Sequence, residues 1–176
     1  MKKIVIAIVI IALGVAAFIV SRDKETNDGF NLVFRYGVGA KNELNTFKQT
    51  FKKDMVNKPS ITIKMKLSDE ELVGIHQKLN EVDLFNEISS YQQKLKKEQE
   101  EYEEKIAKGI EPGLPFTEEP CSKYYIKVDV NSAQKDIRWD CQVRAPKVKE
   151  FLQYMYRIIE SQEEYQKSPT PKAGYL

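Results

Sequence analysis

Few side chains in this sequence are of a type that carries chemistry: two thiols, Cys121 and Cys141, one imidazole, His76, and short carboxylates at Asp54, Asp69 and Asp83. A nucleophilic thiol needs a base beside it, and Cys141 with His76 is the pair this composition offers. Cys141, however, falls in the alternation Ile137, Trp139, Cys141, Val143, which reads as core packing, where a thiol is inert. Zinc would require a second histidine or thiols at ligand spacing, and neither is present. There is no G-x-S-x-G elbow, and Gly37-Val38-Gly39-Ala40-Lys41-Asn42 imitates a dinucleotide fingerprint only as far as Asn42, where its third glycine belongs. Each of the three acids falls where a strand end or helix cap wants a short polar residue. No metal or cofactor is therefore expected. The chemistry left to the thiols is oxidation: either Cys121 and Cys141 form a disulfide, or one is buried and the other free. Strand parity argues against a regular cross-strand bridge, because Cys121 would face away from Cys141, but Pro120 allows the backbone to turn there.

The elements that position these residues follow an apolar run, IVIAIVIIALGVAAFIV, over residues 4–20. As a helix it would extend roughly 25 Å, the short end of what spans a hydrocarbon core. Lys2 and Lys3 precede it and mixed charges follow, so the positive-inside rule keeps the amino terminus cytoplasmic and exports the rest. Residues 1–21 are expected to be a membrane anchor or a signal peptide, residues 22–29 a polar tether, residues 30–165 a single extracytoplasmic domain and residues 166–176 an irregular tail. A cleaved signal would make the domain a secreted one. Without Lys2 and Lys3 the 28 basic residues fall to 26 against 26 acidic ones, so charge gives no argument for a nucleic-acid partner.

Within the domain, FNLVFRYGV at residues 30–38 is rich in aromatic and branched residues and predicts a strand. NTFKQTFKKDM fits helix or strand period, and the preceding turn favours its return as the second strand of a hairpin. Residues 60–67 alternate as a half-buried strand. Ser68 with Glu71 forms a capping box that starts a helix at Asp69 with Leu72, Ile75, Leu79 and Val82 inward. From Asn86 to Lys108 the chain becomes Lys- and Glu-rich, with opposite charges at i,i+4 and only Ile88, Tyr91, Leu95, Tyr102 and Ile106 as a sparse apolar stripe. That pattern predicts a solvent-washed helix, either a plain surface helix or a partner-binding arm through Tyr91, Leu95, Tyr102 and Ile106. IEPGLPFTEEP reads as an extended loop. A hairpin follows, pairing Tyr124, Ile126, Val128 and Val130 with Ile137, Trp139, Cys141 and Val143, and then a core helix opened by Ala145-Pro146.

Taken together, the apolar run, NTFKQTFKKDM, ITIKMKLSDEEL, KYYIKVDV with DIRWDC, and IIESQEEYQKSP resemble small exported proteins of unassigned function from Gram-positive bacilli. The resemblance covers most of residues 30–170 and implies no activity, cofactor or catalytic residue. The expected fold is α+β: an antiparallel sheet of about five strands, two packed helices, one charged surface helix and an N-terminal transmembrane helix. The expected function is a non-catalytic module that binds an envelope protein or peptide through the free sheet face or the charged helix. The alternative is a secreted or envelope enzyme working around Asp54, His76 or Cys141.

Overall fold

The computed structural model describes residues 29–110 and 121–171. Four strands come first: β1 (Asn31–Tyr36), β2 (Asn42–Asn45), β3 (Thr50–Lys53) and β4 (Ile61–Lys64). Two helices follow, α1 (Asp69–Glu81) and α2 (Leu84–Ala107), then strands β5 (Lys123–Val130) and β6 (Ala133–Asp140), and finally helices α3 (Pro146–Ser161) and α4 (Glu163–Lys167). The strands form one antiparallel sheet of six in the order β4-β3-β2-β1-β5-β6, a meander to which the second hairpin adds beside β1.

The α+β class is as expected, but the sheet has six strands rather than five. NTFKQTFKKDM is not one strand, because a turn over residues 46–49 splits it: Asn45 ends β2, and β3 begins only at Thr50. The Thr46 hydroxyl accepts from the Leu32 amide at 2.8 Å, the Asn45 side chain accepts from the Lys48 amide at 3.1 Å, and Gln49 adopts a φ of +51°. These bonds offer the backbone a turn that competes with a continuous strand. Phe47 is thereby carried to the turn's tip, while Phe51 is fully buried.

One face of the sheet is apolar, and the register shows why. Ile63, Phe51, Leu44, Phe34, Ile126 and Ile137 lie in a single line across all six strands. Helix α1 covers this face through Leu72, Ile75 and Leu79, and α3 through Val148, Phe151, Met155, Ile158 and Ile159. Ser68 and Glu71 make the full capping box, and Pro146 stands in the first turn of α3. The two helices lie close because Gly74 has no side chain: a Cβ there would come 2.5 Å from Tyr154 Oη. The opposite face carries Lys52, Arg35, Tyr125 and Arg138 in one row and has no helix over it among the described residues.

Three further expectations need correction. The strand at residues 60–67 ends at Lys64, and Met65 and Leu67 turn inward as buried core on the way to α1. The charged helix begins at Leu84, two residues ahead of Asn86, and its first turns are core, with Leu84, Phe85 and Ile88 buried. The tail is not irregular from residue 166: α4 runs to Lys167, and Ser168 is buried where it accepts from Lys53 Nζ at 2.9 Å. Residues 4–20 lie outside the described residues, among which no helix is long and apolar enough to cross a membrane.

Candidate partner-binding groove

The β5–β6 hairpin turns on Asn131 and Ser132, with φ of +51° and +70°. Two successive positive φ values give the tight turn whose twist matches that of the strands. This turn makes Val130 and Ala133 the closing pair, so odd-numbered residues of β6 bond to β5 and even-numbered ones point outward. The Cys141 amide continues the inward set, donating to the Ser122 carbonyl at 3.0 Å. Since β6 ends the strand order, Gln134, Asp136, Arg138 and Asp140 turn their main-chain groups to a sheet edge. One of these groups has a side-chain partner: Gln92 Nε2, on α2, donates to the Arg138 carbonyl at 2.8 Å.

Helix α2 runs alongside this edge. At its start Leu84 and Phe85 share a cavity of about 280 Å³ with Phe30, Val130 and Lys135. Midway, Gln92, Leu95 and Gln99 form one wall of a groove of about 400 Å³ whose other wall is Trp139, Asp140, Gln142 and Val143. Beyond it α2 stands clear, held as a helix by surface contacts such as the Lys108–Glu104 pair and the Gln99 side chain donating to Glu103 at 3.0 Å. Of the stripe expected to bind a partner, Tyr91 and Leu95 pack on the domain's own core. Tyr102 is half-buried on the projecting part, and Ile106 is 52% exposed.

Trp139 is the focus of the groove wall. It is 5% exposed and stacks on Tyr124 with centroids 5.2 Å apart. Its indole Nε1 is the one buried side-chain polar atom among the described residues with no hydrogen-bond partner. Such an orphan is uncommon and calls for an explanation, because a buried donor left unpaired costs roughly 1–3 kcal/mol. Immediately beyond it, Cys141 and Cys121 form a disulfide with Cα atoms 5.6 Å apart. The parity objection fails because both cysteines lie outside their strands: β6 ends at Asp140 and β5 begins at Lys123. The bridge fixes the corner between Asp140 and Gln142 that closes the groove.

The residues of the catalytic alternative are not brought together. Cys141 is oxidised, His76 stacks on Phe30 with centroids 4.8 Å apart at the sheet end where β1 starts, and Asp54 follows β3 at the opposite end. Asp69 lies in the first turn of α1 behind the Ser68 cap, and Asp83 stands at the start of α2, where its carboxylate accepts from the Asn86 side chain and caps no backbone amide. No cluster of metal-ligating side chains occurs among the described residues. Under α3 and α4, burial pushes the Tyr36, Tyr156 and Tyr165 phenols above their ordinary range and lowers the Lys53 ammonium. Lys53 is 5% exposed, with its Nζ 4.1 Å above the Tyr165 ring, and joins the tail to the sheet.

Gln92, Gln99 and Gln142 could not be picked out in advance, since an amide in a charged helix or after a strand looks like any other surface residue; the unpaired Trp139 donor had no signal in the sequence. No protein-family model matches the chain, and neither does any curated protein or solved structure.

Proposed function

We propose that the protein is a membrane-anchored, extracytoplasmic binding module whose groove between α2 and β6 receives an extended segment of a partner protein. The single observation that carries this reading is the Trp139 indole N–H, buried without an acceptor in the wall of an open groove at a free sheet edge. That N–H is shielded from solvent, so the groove wall shifts as the segment enters and opens it to a carbonyl or carboxylate of the segment. Main-chain groups of the segment pair with the outward groups of β6, the mode in which a peptide extends a sheet. Leu95, Trp139 and Val143 give its side chains an apolar floor, and the disulfide keeps the corner rigid before binding. Gln92 holds the place of the partner's amide on the Arg138 carbonyl until the segment arrives. At the other edge, β4 is four residues long and follows Pro59, which suits a strand kept from pairing.

The test is a photo-crosslinking residue placed at Gln99 of the full chain in its own cells, with Lys52 on the open sheet face as the comparison site. A discrete partner crosslinked at Gln99, absent at Lys52 and lost in Trp139→Phe, is the expected result. Equal capture at both sites, or capture indifferent to Trp139→Phe, contradicts the reading.

A further inference from the structure

Three large apolar side chains are exposed among the described residues, and two of them, Ile106 and Ile110, lie in the last turn of α2 and just beyond its end. The third is Phe47, 48% exposed at the tip of the β2–β3 turn, at the other end of the sheet. Its position is fixed rather than incidental. The Thr46 hydroxyl donates to Asn31 Oδ1 at 3.1 Å, the Gln49 carbonyl accepts from the Met65 amide at 2.9 Å, and Gln49 itself takes a positive φ. These bonds hold a rigid turn that presents an aromatic ring to solvent. Lys48 is next to it, and Lys64 and Lys66 flank the amide that bonds to the turn; all three are exposed.

The bond from Thr46 to Asn31 also places Phe47 beside the start of β1, where the described chain begins at Gly29. Between Gly29 and the apolar run of residues 4–20 lie few residues, and residues 21–29 at full extension reach at most about 30 Å. We infer that Phe47, with Lys48, Lys64 and Lys66, is a bilayer contact through which the anchored domain rests on an anionic lipid surface. The inference rests on the anchored part of the proposed reading and not on the groove. An aromatic ring with lysines around it is the composition that settles at the headgroup level, where the ring is buried and the ammonium groups meet anionic lipid. The acids next along the chain, Asp69 and Glu70, occupy the positive end of α1, which offsets their charge. A contact this small would not bind a free protein. Behind a short tether, with an effective concentration on the order of millimolar, it needs only to orient one. Since α2 runs from this end of the sheet past the other, the same contact turns the groove and the projecting part of α2 away from the membrane.

The test uses the full chain with Phe47→Trp, reconstituted into vesicles of equal parts phosphatidylglycerol and phosphatidylcholine carrying brominated acyl chains. The wild-type chain, whose one tryptophan is the buried Trp139, supplies the background. A ring about 5–10 Å into the headgroup boundary should lose emission about twofold relative to unbrominated vesicles and shift to shorter wavelength. Combining Phe47→Trp with Lys48→Glu should weaken the quenching. Protein that floats with the vesicles but is not quenched at position 47 overturns the inference and leaves the anchor standing. A chain that does not float overturns both. A blue shift that grows with protein density and ignores bromine assigns the turn to a second copy of the chain and overturns it as well.

Discussion

Gln92 Nε2 donates to the main-chain carbonyl of Arg138 at 2.8 Å, so a side chain of α2 makes the bond that a seventh strand would make to β6. An open edge of eight residues invites pairing with another chain, and a helix laid beside it restrains that tendency. Gln92→Ala should therefore cost only about 0.5–1.5 kcal/mol in a urea melt. It should also strengthen association at the freed edge, seen as a shift toward dimers in sedimentation. A variant that stays monomeric at every concentration would show that Gln92 is not guarding the edge.

The disulfide joins residues separated by 20 positions, and closing a loop of that size removes about 3 kcal/mol worth of entropy from the unfolded chain. Cys121→Ala with Cys141→Ala should lower the denaturant midpoint accordingly and loosen the groove's corner more than the helix-covered core. Hydrogen exchange should accelerate first around Asp140 to Val143. Uniform acceleration through α1 and α3 would mean that the bridge supports the whole domain.

Alkaline pH should unfold the protein through its buried phenols. Tyr36, Tyr156 and Tyr165 have folded values above the ordinary 10.0, chiefly from burial, so above that pH the unfolded chain loses protons that the folded chain keeps. Stability then falls as pH rises. Lys53 acts in the opposite sense: burial lowers its folded value, so raising the pH toward 10.5 removes the penalty of holding it charged. The three phenols outnumber one amine, and the net slope should be downward. Absorbance titration should show part of the nine tyrosines ionising only with unfolding, whereas one smooth titration of all nine would contradict the packing under α3 and α4.

Lys53→Met isolates the amine. The ammonium is buried with one hydroxyl and one aromatic face for company, and Ser168 Oγ keeps its bond to the Tyr165 carbonyl when the amine is gone. The variant should be more stable by about 1 kcal/mol at neutral pH, following the rule that apolar replacements of buried charge are neutral or favourable. It should also lose the upward alkaline term. A large loss of stability would instead make Lys53 the tie that holds α4 to the sheet.

Where local pattern and tertiary packing agreed, the elements could be read in advance. The Ser68 capping box, Pro146 at the start of α3 and the alternation from Tyr124 to Val130 each specify one structure from short-range physics. The period of NTFKQTFKKDM suits one strand, and only the bonds from Thr46 to β1, distant in sequence, select a turn. The start of α2 at Leu84 carries no local signal, since Asp83 at φ +49° separates α1 from α2 with no glycine to mark it. As Ile88, Tyr91 and Leu95 are packed and Gln99 walls the groove, only the part of α2 beyond Gln99 stands clear of the domain rather than the whole charged segment. The groove could not be read at all, because it arises from a helix and a strand 46 residues apart at the Gln92–Arg138 bond.

The measurement that bears most directly on the binding claim is amide hydrogen exchange along β6, with and without a synthetic peptide copying the segment crosslinked at Gln99. A peptide that extends the sheet should slow exchange at the outward amides of Gln134, Asp136 and Arg138, while the inward amides of Lys135, Ile137 and Trp139, already bonded to β5, change little. The indole N–H of Trp139 should shift and become protected at the same peptide concentration. Protection that ignores this alternation, or a peptide that binds and leaves both β6 and the Trp139 indole unchanged, would contradict the account.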